Sequence, residues 1–458
     1  LGVNSLDQVP DSTWFENRIG VRPVSLDEVT RGPGDGHGPD LARPLRVVSA
    51  KTDGQIPGFL AEDAAGVRWL IKLQGDECSS DVAAQRLLWL AGYHVPENHA
   101  LVITRAQVEP GAAADAVFAR AHADTDGRYR ILASRLLPGK PLGGAPAEGR
   151  RADDPNDTIP HERRRELRGL YVFAAWLQHT DFKEPGTLDM WTEDPHDPSR
   201  HVVMHYLVDF GNTFGLYARA VRPDDGHVET VVDLDHLRSL LSFGLWRRPW
   251  EGTRDPRIPG VGRFDVAHFD PGGFTPFAPY APFLRVDHRD ALWAVDILLR
   301  ITPAHIRAAL AAARYEDPRA VAYLTAVLVG RQRKTARYWF ERVSPLVELS
   351  VATGPNLRDR LCFTDLAIAH DLGAGPATTR YLVSATDWDA ATVLAGTERG
   401  ATPSGRACVD GIPRGASHDA YTIVRVVVRR GDRTWPAVEV HVATAPDGQR
   451  RIIGIERR

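Results

Sequence analysis

His179-Thr180-Asp181-Phe182-Lys183-Glu184-Pro185-Gly186 is followed downstream by His205-Tyr206-Leu207-Val208-Asp209-Phe210-Gly211. Phosphoryl transfer needs one carboxylate beside the attacking hydroxyl, a cation near the transferred phosphate and another carboxylate on a metal ion. Asp181, Lys183 and Asp209 supply those three groups in chain order. The apolar run Tyr206-Leu207-Val208 reads as a short buried strand, which would hold Asp209 still as a metal ligand. An Asp-Phe-Gly tripeptide alone arises by chance in roughly one chain of this length in twenty. Its place downstream of His-x-Asp-x-Lys is what gives it weight.

Working outward, residues 45–50, 58–63 and 67–73 read as three strands, with turns carrying Asp53-Gly54 and Ala65-Gly66. Ser79 or Ser80 is placed to cap a helix that Gly92 ends. Residues 99–104 and 129–136 are two more strands, separated by an Ala/Asp-rich insert (108–128) with little to bury. A Gly/Pro/Asp linker (143–160) leads into a helix over 161–178, where Leu167, Leu170, Ala174 and Leu177 recur at helical spacing. Thr302-Pro303 and Asp317-Pro318 pair an N-cap with a first-turn proline and so predict two further helices. Residues 421–428, 438–443 and 451–455 predict a three-stranded meander.

Lys72 sits in Trp69-Leu70-Ile71-Lys72-Leu73, a strand that points it opposite to its neighbours. It reads either as a phosphate-gripping lysine or as a solvent-facing lysine on an edge strand. Its carboxylate partner would be Asp81, with Glu77 as the other candidate, although acids in a first helical turn are also favoured by the helix dipole alone. The segment 52–58 contains Gly54 and Gly58, whose backbone N–H groups would suit an anion nest or an ordinary hairpin turn. Asp181 is the candidate base and Lys183 the candidate phosphate-neutralising cation; a plain surface ion pair is the competing reading. His179 supports the loop in this reading. Asp209 is the leading metal ligand, because a charge directly after a buried strand is costly unless paired.

The ordered set Lys72, Asp81, Asp181 with Lys183, and Asp209-Phe210-Gly211 resembles the protein-kinase-like superfamily, nearer its atypical bacterial branches than the eukaryotic core. Residues 9–15, 92–97 and 160–169 likewise resemble uncharacterised kinase-like proteins of soil bacteria, over about residues 5–345. The resemblance implies an α+β, bilobal kinase-like fold: an N-terminal arm (1–44), a β-rich lobe (45–142), a mainly helical lobe (143–345) and a C-terminal extension (346–458) ending in the meander. It also implies ATP and Mg²⁺ as cofactors, an unknown protein or small-molecule acceptor, and adenine meeting backbone groups near Leu137. Precursors of that group carry an export signal, so export to the periplasm or cell envelope is an expectation, consistent with a chain that opens at Leu1 without an initiator methionine.

One departure stands out. Kinases carry an asparagine metal ligand five residues after the base, where this chain has Gly186. Asp189 or Asn212 is the candidate replacement. An active phosphotransferase, a pseudokinase that binds nucleotide or protein, and an envelope-associated structural protein are the three readings, in that order.

With 458 residues, the chain has the length for two to four domains. A net charge of −3 gives no global field for nucleic acid or an anionic membrane, and no apolar run reaches the roughly 18 residues of a membrane span. Cys78, Cys362 and Cys408 lie far apart, and their spacing predicts neither a disulfide framework nor a zinc site. Lysine is rare, confined to Lys51, Lys72, Lys140, Lys183 and Lys334, so each retained lysine is more informative than usual.

Overall fold

The computed structural model describes all residues except 1, 53, 55, 196, 217–236, 239, 247–251, 355 and 357. The expected Asp53-Gly54 turn therefore lies partly outside the described residues. Helices and antiparallel sheets coexist in separate blocks, an α+β arrangement.

The N-terminal arm is less irregular than its composition suggests. It carries helix α1 (Leu26–Arg31), started by a Ser25–Glu28 capping box. Trp14, Phe15, Ile19, Val24 and Val29 are buried in the largest core. Strands β1 (Arg46–Ala50), β2 (Gly58–Glu62) and β3 (Arg68–Lys72) follow, then helix α2 (Glu77–Ala91) and β4 (Asn98–Thr104). Helix α3 (Ala112–Phe118) and β5 (Arg128–Arg135) complete a five-stranded antiparallel sheet of order β1-β2-β3-β5-β4. Period-2 alternation sends Phe59, Trp69, Ile71 and Ala133 to one face, where they form a separate core with Val117 and Phe118.

Two expectations are corrected in this part. The 108–128 insert does bury apolar surface, because Ala114, Val117 and Phe118 recur at helical spacing on α3 and pack on the sheet. Helix α2 begins at Glu77, before either serine, with no side-chain cap at Asp76. Ser80 lies inside the helix, and its hydroxyl donates to the carbonyls of Glu77 and Gly211.

Strand β6 (Lys140–Gly143) joins a second sheet of order β6-β7-β8, where β7 is Thr187–Asp194 and β8 is Asp197–Leu207. Between β6 and β7 runs helix α4 (Arg165–Leu177), preceded by a separate 3₁₀ turn (His161–Arg163), so the expected single helix is broken at Arg164. Helices α5 (His288–Arg300), α6 (Pro303–Ala312) and α7 (Pro318–Phe340) pack with α4 and α2 around the main core. Thr302 and Asp317 cap α6 and α7 as their sequence predicts, each accepting a backbone N–H.

The C-terminal part is richer in strands than the expected meander. Strands β9 (Leu346–Thr353), β10 (Asp359–Asp365), β11 (Thr379–Thr386), β12 (Thr392–Gly400) and β13 (Arg406–Ile412) precede β14 (Thr422–Arg430), β15 (Arg433–Thr434), β16 (Val438–Thr444) and β17 (Arg450–Arg457). They form a β13-β10-β9 sheet and a larger sheet of order β12-β11-β14-β16-β17, with β15 paired to β14, around their own apolar core. Cys362 and Cys408 are direct partners on β10 and β13 and form a disulfide, which corrects the sequence expectation of unpaired cysteines. Cys78 is free and buried. Among the described residues, no helix is long and apolar enough to cross a membrane.

Candidate active site

Lys72 ends β3 with its neighbours Ile71 and Leu73 buried on the opposite face of the sheet. Its side chain points towards the second sheet. There β8 ends at Leu207, and Asp209 follows in left-handed backbone with φ of 65°. Aspartate tolerates this region better than most residues, but such backbone is held only where the surroundings fix it. The Lys72 ammonium donates to Asp209 Oδ1 at 3.1 Å. The lysine side chain is 14% exposed and the carboxylate 57%, so the pair sits at the floor of an opening rather than in a closed core. Burial is the largest influence and disfavours both charges, yet Asp209 together with Asp81 and Glu77 leaves the lysine pKa raised, and Lys72 foremost leaves the aspartate pKa lowered.

Asp81 has a different part from the one expected. It is fully buried on α2 and accepts from Asn98 Nδ2 at 2.7 Å and from the Phe210 backbone N–H at 3.0 Å. Lys72 feels its charge, but the bonded partner of the lysine is Asp209. Burial pushes the Asp81 carboxyl up to about 6, against the pull of Lys72. Glu77, one turn earlier, accepts from Gln74 Nε2 at 3.3 Å, and burial pushes it up to about 7, with Asp209 and Asp81 adding to the rise. Three carboxylates thus surround one lysine.

The loop after α4 supplies the other half. Gln178 closes the helix in left-handed backbone, and Asp181 follows with Lys183 donating to its Oδ1 at 2.6 Å. Asn212 Nδ2 donates to Asp181 Oδ2 at 3.3 Å, which links this loop to the segment after Asp209. His179 packs edge-on against Phe182 and Phe210, and burial holds its ring neutral by lowering its pKa to about 4. Both Asp209 and Asp181 act on that ring through their charge. Two bonded sets result, Lys72 with Asp209 and Lys183 with Asp181 and Asn212, and the short segment from Asp209 to Asn212 joins them through the chain.

The remaining candidates divide. Gly58 opens β2 directly opposite Lys72, and Gly54 lies in the preceding turn with φ of 73°. Leu137, half-buried, follows Leu136, whose N–H still bonds to the Arg68 carbonyl before the chain crosses to β6. Gly186 ends a short 3₁₀ turn and contributes its carbonyl to the Val208 N–H. Asp189 is not brought to this group. It is fully buried on β7, with Oδ1 bound by His205 Nδ1 at 2.6 Å and Oδ2 by Arg151 at 2.9 Å. His205 in turn stacks on Trp14 at 3.8 Å. With both oxygens taken by buried cations or donors, Asp189 is a packing residue, and its expected role as a metal ligand is corrected. Asn98 and Lys51 were missed by sequence reasoning; only the rarity of lysine pointed to the second.

Among the described residues, no three His, Cys, Asp or Glu side chains gather into a metal-holding cluster. Mg²⁺ in phosphate chemistry is commonly held by one or two carboxylates together with substrate phosphates rather than by an all-protein cage. Asp209, whose carboxylate is more than half exposed, fits that shared mode.

No protein-family model and no curated protein matches the chain. Among solved structures, similarity is found to the Rio2 kinase–ADP/Mg²⁺–phosphoaspartate complex from Chaetomium thermophilum, at 16% identity and a TM-score of 0.23, covering 58% of this chain and 71% of that one. Similarity is also found to the Golgi casein kinase, at 9% identity and a TM-score of 0.32, covering 69% and 75%. At those scores neither likeness bears on the site, whose reading rests on its own geometry.

Proposed function

We propose that the chain is a kinase-like phosphotransferase that uses ATP and Mg²⁺ on a hydroxyl-bearing acceptor. The observation that carries this is the Lys72–Asp209 pair: a strand lysine and a strand-end aspartate far apart in sequence meet at 3.1 Å, and Asp181 is bonded to Asn212 on the segment that follows Asp209. In this reading Lys72 grips the nucleotide phosphates and Asp209 turns to the metal. Asp181 accepts the acceptor's proton, and Lys183 offsets charge on the transferred group. Mg²⁺, when bound, would neutralise the phosphate oxygens, with Asp209 and Asn212 as the side chains placed to hold it. Asp81 holds the backbone that aims Asp209.

A second reading, a pseudokinase, is favoured by Gly186, which offers backbone alone where a further oxygen ligand is expected. Thermal stabilisation by ATP with and without Mg²⁺ separates the two. A metal-dependent shift together with slow ATP turnover supports the enzyme. A metal-independent shift without turnover supports the pseudokinase, and no shift at all removes both.

The Cys362–Cys408 disulfide supports maturation in an oxidising compartment, since such bonds are rare where glutathione keeps thiols reduced. Export to the cell envelope is proposed on that basis. Full reactivity of both thiols towards an alkylating reagent in protein taken from its native compartment would remove it.

A further inference from the structure

Lys51 follows β1, and its backbone N–H donates to the Gly58 carbonyl oxygen at 2.8 Å, which continues the Ala50–Phe59 register. Gly58 is in turn the direct partner of Lys72. Directly paired residues of antiparallel strands place their side chains on the same face. Lys51, Gly58 and Lys72 thus make one row across three strands, with two lysine stems flanking a position that has no side chain.

The bare position is used. A Cβ added at Gly58 would come to 3.3 Å from Lys51 Cδ and would also meet the Ile71 carbonyl oxygen. The Lys51 stem therefore lies over the glycine. Its ammonium donates to the Ile56 carbonyl at 3.3 Å and sits 3.0 Å from where a Cβ would stand on Gly54. Gly54 itself has left-handed backbone and no side chain to meet the ammonium. Lys72, at the other end of the row, donates to Asp209 Oδ1 at 3.1 Å.

We propose that Lys51 and Lys72 form a two-lysine clamp for a chain of linked phosphates, which lies over Gly58 with Asp209 beside it. The two lysine backbones stand two strand spacings apart, about 9–10 Å, so their ammoniums can reach different phosphates of one linked chain. The clamp deepens the phosphotransferase reading and rests on it for the nucleoside end of the ligand. Lys51 takes the part that a glycine-rich turn would otherwise fill with backbone N–H groups alone.

The test is calorimetric titration of the full chain with ATP, AMP and inorganic tripolyphosphate, in wild type, Lys51→Ala, Lys51→Arg and Lys72→Ala. Charged hydrogen bonds of this kind are worth about tenfold or more in affinity. Lys51→Ala is therefore expected to weaken ATP and tripolyphosphate by at least about that factor, leave AMP unchanged and keep the wild-type melting curve, while Lys51→Arg recovers most of the loss. If Lys51→Ala binds ATP and tripolyphosphate as tightly as wild type while Lys72→Ala does not, the clamp is wrong and the phosphotransferase reading stands. Binding of tripolyphosphate but not ATP, lost in Lys51→Ala, supports the clamp and removes the nucleotide. Failure of wild type to bind either ligand overturns the clamp.

Discussion

The Asp81 carboxylate accepts the Phe210 backbone N–H at 3.0 Å, so helix α2 grips the residue next to the metal-binding candidate Asp209. The other oxygen of Asp81 is held by Asn98 at the start of β4. One buried carboxylate therefore fixes the orientation of sheet, helix and strand-end loop together. Asp81→Ala leaves two buried donors without their acceptor, a loss of about 1–3 kcal/mol for each donor left unsatisfied. Chemical denaturation is expected to show destabilisation of that order, together with weakened Mg-ATP binding. A variant that binds Mg-ATP normally would mean that the Phe210 contact does not aim Asp209.

Asp209→Asn isolates charge from backbone. Asparagine tolerates left-handed φ nearly as well as aspartate, so the loop keeps its shape, whereas alanine would add strain. The carboxylate is 57% exposed, and the charges of Asp81 and Glu77 still act on Lys72 when that of Asp209 is removed. The melting temperature is therefore expected to stay within a few degrees of wild type while Mg-dependent ATP binding is lost. Unchanged Mg-ATP affinity by calorimetry would sink the assigned role.

The raised pKa of Glu77, about 7, makes a prediction about stability and pH. Its unfolded value is near 4.3, so between the two the folded state binds the extra proton. Stability from this group consequently falls as pH rises from about 4 to about 7, and the loss is complete above 7. Glu77→Gln removes the titration. Relative to wild type it is expected to gain about 1–3 kcal/mol at pH 8 and almost nothing at pH 4. Paired melts at the two pH values check this; an equal effect at both would show that Glu77 is not held protonated.

Much of this frame was legible because local chemistry and tertiary structure agree. Alternation in Trp69-Leu70-Ile71-Lys72-Leu73 put Lys72 on the face opposite its neighbours. Thr302-Pro303 and Asp317-Pro318 marked helix starts that the structure keeps. What was not legible depends on register between distant segments. Cys362 meets Cys408 only because β10 pairs with β13. His205 faces Asp189 only because β7 and β8 form a hairpin in that register. Strand β11 alternates buried and half-buried residues along its whole length, but its threonines, serine and arginine hid the pattern. In α3 the Ala/Asp richness masked a short apolar stripe.

Gly186 stands where the proposed metal site lacks an oxygen ligand, and Asp189 is the residue whose buried pairing keeps it from filling that place. Gly186 has no left-handed φ, and the nearest atom to an added Cβ is the Val208 carbonyl oxygen at 3.8 Å, an ordinary contact. Gly186→Asn therefore meets neither backbone strain nor a clash, and it adds a side-chain oxygen five residues after Asp181. Tighter Mg²⁺ binding in the presence of ATP, or faster turnover, is the expected outcome. Asp189→Ala answers the competing idea that a ligand has simply moved three residues along. Removing this carboxylate leaves Arg151 and His205 without their buried partner, which costs about 3–5 kcal/mol. Its signature is thus a drop in stability, with Mg²⁺ affinity of the folded fraction unchanged at low temperature. If Asp189→Ala instead keeps wild-type stability and loses metal affinity, the carboxylate reaches the cleft in solution. The pairing with Arg151 and His205 would then not be its working state.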